Sequence, residues 1–173
     1  VGTVRQDDAG NIHPEKFLVP LKDTAGQVQA IAMAVPFLRP SDVPLVNNAA
    51  DPYLDGVREL YRRTTTAALE LMATLNPDAA LIAMGHCHLH GGEESRDSER
   101  CLVIGGAEAI GPDTFNPRIA YVALGHLHRA QQFDGGRTRY SGSPIPLSFA
   151  EADYRHQIMK LTFENSELTS ATE

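Results

Sequence analysis

Apolar positions in this chain fall into short runs, interrupted once by a long helical repeat. Residues 17–21 and 28–35 read as two strands joined by a polar turn at 22–27, so a hairpin is expected. Pro36 and Pro40 should break regular pairing, leaving 36–50 as a loop. Asp51-Pro52 has the form of a helix N-cap followed by proline at the first helical position. Val57, Leu60, Tyr61, Ala68, Leu71, Met72 and Leu75 then recur at steps of three and four. That spacing predicts one amphipathic helix of about six turns, stopped by Asn76-Pro77. Tyr61 and Met72 take core positions in it.

Residues 80–84 are a near-continuous apolar run, as in a strand buried on both faces. A polar loop at 91–100, a short strand at 101–104 and a helical turn within 107–118 are expected next. Residues 121–124 repeat the buried-strand pattern. Residues 129–133, the Asp134-Gly135-Gly136 turn and 138–140 form a second hairpin pattern, and 141–146 an irregular loop. Residues 156–163 alternate as a strand. The chain before residue 13 is polar, with a turn signal at 8–11. The expected organisation is α/β, with one unit over 1–164 and a polar, fraying tail over 165–173.

The 173 residues suit about one domain and can support a real core. No segment approaches the roughly 18 apolar residues of a membrane span. Two cysteines, Cys87 and Cys101, make no disulfide framework, and a reduced, cytoplasmic setting fits them. A net charge of −7 argues against a protein that coats nucleic acid by bulk charge. It leaves a nuclease open, because metal ions can supply positive charge locally. The start at Val1, with neither an initiator methionine nor a signal peptide, suggests a piece of something longer.

The candidate chemistry lies at two strand ends. Residues 121–124 run into Gly125-His126-Leu127-His128, and residues 80–84 run into Gly85-His86. In an extended segment, residues two apart point the same way, so His126 and His128 would present two imidazoles to one side. Gly125 lets backbone approach closely there. Neutral imidazole suits several transition metals, so the pattern predicts a metal site at the sheet edge without naming the metal. A lone histidine is more often structural, the reading given to His13 and His156. A rival zinc site built from Cys87 or Cys101 with His88 and His90 fits no usual ligand spacing, so both cysteines read as small buried hydrophobes. Ser141 and Ser143 lie in no nucleophile elbow, and phosphate-loop and dinucleotide fingerprints are absent.

Gly125-His126-Leu127-His128-Arg129 and the run from Arg139 to Phe149, with its Tyr140-Ser141-Gly142-Ser143-Pro144 core, resemble the calcineurin-like metallophosphoesterases. Within them they are most similar to the SbcD-like nuclease subunits of bacterial SbcCD DNA-repair complexes. Residues 35–40 and Met84-Gly85-His86 fit that family too. The resemblance implies a β-sandwich of mixed sheets flanked by helices, carrying two divalent metal ions, usually manganese. It implies hydrolysis of phosphodiester bonds in DNA, and it places metal ligands at His86, His126 and His128. Arg129 and Arg139 are expected to neutralise DNA phosphates. An SbcC-like ATPase subunit is the implied partner.

The family's early motifs, Asp-x-His, Gly-Asp-x-x-Asp and Gly-Asn-His-Asp, do not occur in this chain. The chain therefore reads as the second half of the catalytic domain, inactive as a nuclease alone and weak in metal binding. A sheet edge left uncovered would favour self-association as a homodimer. Two alternatives stay open: a metallophosphoesterase acting on a small phosphoester, and a non-catalytic interaction module with a decayed site.

Overall fold

A computed structural model describes residues 4, 6, 7, 11–95 and 109–173. The expected strand at 101–104, Cys101 and most of the turn at 8–11 lie outside the described residues, as does part of the 91–100 loop.

The chain opens with the expected hairpin, β1 (Leu18–Lys22) antiparallel to β2 (Val28–Phe37). Six of the ten β2 residues are buried, including Ile31, Met33 and Val35. Pro36 sits inside β2 rather than ending it. Its effect is on pairing, because the ladder to the next strand slips between Ala34 and Phe37. Proline has no N–H to give to that ladder.

Helix α1 (Pro52–Leu75) follows. Asp51 caps it, accepting from the Tyr53 and Leu54 amides at 3.0 and 2.9 Å, and Pro52 occupies the first turn, as expected. Val57, Leu60, Tyr61, Ala68 and Met72 are buried, whereas Leu75 at the last turn is exposed. The buried stripe packs on the sheet, and Thr65 reaches the Met33 sulfur. Asn76 ends the helix, and its side-chain amide donates to the Val28 carbonyl at 2.7 Å.

From α1 the chain enters β3 (Ala80–His86), parallel to β2, and later β4 (Tyr121–Gly125), parallel to β3. A 3-10 turn at Pro112–Thr114 lies shortly before β4. The second hairpin forms as β5 (Gln131–Phe133) and β6 (Thr138–Tyr140), with β6 parallel to β4. The result is a six-stranded mixed sheet in the order β1-β2-β3-β4-β6-β5, an α/β arrangement with one long helix among the described residues.

The last part of the chain departs from expectation. Residues 156–159 do not join a strand; pairing begins at β7 (Lys160–Glu164). His156 instead faces the Ser143 and Glu151 carbonyls. The expected fraying tail instead forms β8 (Glu167–Thr172), antiparallel to β7. Asn165 and Ser166 both take positive φ, 51° and 69°. That is the backbone of a tight two-residue hairpin turn, which Asn-Ser signals more weakly than Asn-Gly. No helix among the described residues is long and apolar enough to cross a membrane.

Candidate metal centre

Because β2, β3 and β4 run parallel, their C-terminal ends meet at one edge of the sheet. The register places Phe37 beside His86, and His86 beside Gly125. Phe37 meets the His86 ring edge-on, with centroids 5.9 Å apart. On the other side the His126 ring lies 5.6 Å from His86. The two Gly-His steps are thus brought side by side.

Each glycine has its own steric reason. A side chain at Gly85 would collide with the Tyr61 hydroxyl, which donates from α1 to the Met84 carbonyl at 3.1 Å. A side chain at Gly125 would meet Nδ1 of His86 at 3.1 Å, tighter than ordinary contact. Tyr61 therefore does more than fill the core, and it fixes the strand end that carries His86.

His126 has φ of 112°, a left-handed conformation that a side-chain-bearing residue adopts only at a cost. Strand β4 ends at Gly125, so 126–128 is an irregular turn, not the extended segment expected from the spacing. Leu127 in the middle is buried. His128 turns toward a residue that spacing did not single out. Its Nδ1 lies 2.7 Å from Oε1 of Glu151, whose side chain is fully buried.

His86 keeps a pKa below the ordinary histidine value, first through partial desolvation and second through the nearby His128. A neutral imidazole is the form that ligates a cation, and the side-by-side rings of His86 and His126 are the kind of donor a divalent-metal site uses. Among the described residues no group of three or more His, Cys, Asp or Glu side chains is arranged to hold a metal ion; of the three candidate histidines, His86 and His126 have their rings side by side.

Of the rival ligands, His88 is otherwise engaged. His88 lies 6.1 Å from the His126 ring, but its Nδ1 pairs with Glu94 at 3.1 Å and its Nε2 meets the Gly92 carbonyl at 3.2 Å. His90 is exposed. Burial pushes the Cys87 thiol up to about 12, which suits a small hydrophobe packed on the core. His13 bonds Asp7 and Glu15 at the surface.

The two arginines part company. Arg129 follows His128, is held by Glu93 and lies 5.9 Å from the centre of the Tyr154 ring. Arg139 donates to the Gly136 carbonyl at 2.9 Å. It lines a crevice of about 640 Å³ between the sheet and the β7–β8 hairpin, whose walls include none of the three histidines.

Tyr140 of the recognisable loop run is buried under the site. Its hydroxyl donates to the Cys87 carbonyl and accepts from the Leu89 amide, both at 2.8 Å. It clips the segment after His86 to β6.

No family model matches the chain. Individual relatives do. It is 44% identical over 157 residues to the SbcD subunit of the SbcCD nuclease from Rhodobacter capsulatus, covering 88% of this chain and 38% of that one. It is 37% identical over 140 residues to the SbcD subunit from Bacillus subtilis, covering 78% and 34%. The SbcD subunit from Escherichia coli K12 is 34% identical over 161 residues, covering 88% and 38%. The chain thus spans little more than a third of the length of these curated relatives.

Proposed function

We propose that the chain is a fragment of an SbcD-like nuclease subunit, as its similarity to three such subunits supports, and that it supplies the histidine side of a metal-dependent DNA nuclease site. The observation that carries this reading is the meeting of His86 and His126 at the ends of adjacent parallel strands, 5.6 Å apart. In this reading His86, His126 and His128 hold divalent cations, two in the intact protein and manganese in kind. Such a pair of cations would polarise a phosphodiester and lower the pKa of attacking water.

The chain's own residues do the placing. Tyr61 and Tyr140 fix both ends of the segment that carries His86. Arg129, beside His128 and paired with Glu93, would meet a DNA phosphate in this reading. Arg139, also expected at the DNA, has its guanidinium turned to Gly136, and in this reading it clamps the hairpin. An SbcC-like ATPase subunit, a cytoplasmic setting and a capacity to self-associate complete the proposal. Three imidazoles bring no negative charge to offset two dications. The 173-residue chain is therefore expected to bind metal weakly and to cleave DNA poorly when alone.

Calorimetric titration of this chain with manganese tests the reading, beside His126→Ala and His128→Ala. Weak binding by the parent that both substitutions abolish is the expected result. Parent binding that survives both substitutions would place the metal elsewhere, and no binding by the parent would remove the half-site from this chain.

A further inference from the structure

Glu151 is the most deeply buried acid among the described residues, with no exposed surface at all. It stands at the end of a one-turn 3-10 segment, Phe149–Glu151, whose first residue is wholly exposed. Burying a carboxylate is expensive unless donors surround it, and here they do. Oε1 faces His128 Nδ1 at 2.7 Å. Oε2 accepts from the Leu147 amide at 2.9 Å and from the Ser143 hydroxyl at 3.3 Å.

The same loop holds His128 by its backbone. The Ser143 amide donates to the His128 carbonyl at 2.9 Å. Gly142 has φ of 80°, and a side chain there would strike that carbonyl and the Ala130 amide. His156 spans the base of the loop, its ring nitrogens 3.0 Å from the Ser143 carbonyl and 3.3 Å from that of Glu151. Loop, histidine and acid form one unit.

We propose that Glu151 is a positioning residue. As an acceptor it requires the proton of His128 on Nδ1, which sets the tautomer and directs Nε2 to a divalent cation. The run from Ser141 to Glu151 is on this account the mount that delivers the acid. The inference rests on the metal reading above for its ligand, and on geometry alone for the tautomer. Carboxylates behind a ligating histidine commonly carry a 10- to 100-fold effect on metal affinity.

Two measurements on the 173-residue chain separate these parts. Long-range proton–nitrogen correlation spectra of the metal-free protein report the His128 tautomer, and manganese calorimetry reports affinity. The expected result is an Nδ1–H tautomer in the parent, retained in Glu151→Gln, whose amide oxygen can still accept, and lost in Glu151→Ala. Manganese affinity should fall about 10-fold in the glutamine variant and up to about 100-fold in the alanine variant. If the alanine variant does not fold, the glutamine variant still decides. An Nε2–H tautomer in the parent would overturn the proposal, as would unchanged affinity in both variants. A parent that binds no manganese but shows the Nδ1–H tautomer would sink the metal reading and leave the positioning role of Glu151 standing.

Discussion

The Tyr61 hydroxyl occupies the space in which a side chain at Gly85 would begin. One residue belongs to the helix and the other to the strand end, and the bond from Tyr61 to the Met84 carbonyl locks them together. Helix α1 thus controls where His86 sits, although none of its residues is a candidate ligand.

Gly85→Ala should therefore push Tyr61 aside and break that bond. The expected cost is about 1–3 kcal/mol of stability, the usual range for overpacking. Tyr61→Phe alone should cost about 1 kcal/mol, the worth of a typical hydrogen bond. In the double variant the two costs should not add, because the phenylalanine has vacated the space. Urea unfolding of all four proteins measures the coupling. Strict additivity would show that the hydroxyl is not what excludes a side chain at Gly85.

The strained backbone at His126 gives a second test. With φ at 112°, glycine is the residue best suited to the position and histidine is a compromise. His126→Gly should be more stable than His126→Ala by about 1 kcal/mol or more, against the usual order in which glycine is the costlier replacement. Both should lose the proposed metal binding. Thermal unfolding without metal, read beside manganese titration, would check the two halves. An alanine variant as stable as the glycine variant would remove the strain.

Much of the sheet edge is legible in the sequence because period and punctuation agree. Asp51-Pro52 marks the helix start, apolar runs mark β3 and β4, and a glycine before each histidine marks close approach. What spacing does not show is direction. It predicts an extended Gly-His-X-His step, yet His126 departs into the left-handed region and His128 turns to Glu151. Glu151 lies 23 residues further on and gives no local signal. Its one clue is an acid closing a loop of small and apolar residues. Arg139 shows the same limit: pairing beside β4 does not say where a long side chain bends, here to the Gly136 carbonyl.

Tyr140→Phe tests the clip beneath the site. The hydroxyl serves two backbone groups, the Cys87 carbonyl and the Leu89 amide. Leu89 and the Tyr140 side chain are buried, so water does not readily replace it. Loss of about 2 kcal/mol is expected, the penalty for leaving buried polar groups unpaired. Amide hydrogen exchange should also quicken at Leu89, and slow exchange there in the variant would contradict the clip.

A pH dependence arises on the far face of α1. Glu59 accepts from Arg62 at 2.6 and 2.8 Å and from Arg63 at 2.7 Å. The Arg62 hydrogen bonds, followed by the one from Arg63, hold its carboxyl at about 2, against about 4.3 in an unfolded chain. A carboxyl depressed on folding contributes stability that is fully present above the unfolded value. That contribution is lost as pH falls from about 4.3 towards 2. The partners are solvent-exposed arginines, so the contribution is about 1 kcal/mol or less after screening. Glu59→Gln should be less stable than the parent by that amount at pH 7. The gap should close as the pH is lowered through the window, and it should also narrow in high salt. Paired urea melts at pH 7, 4 and 3 would measure it, and a gap that persists unchanged at the lowest pH would show that the charge of Glu59 is not its source.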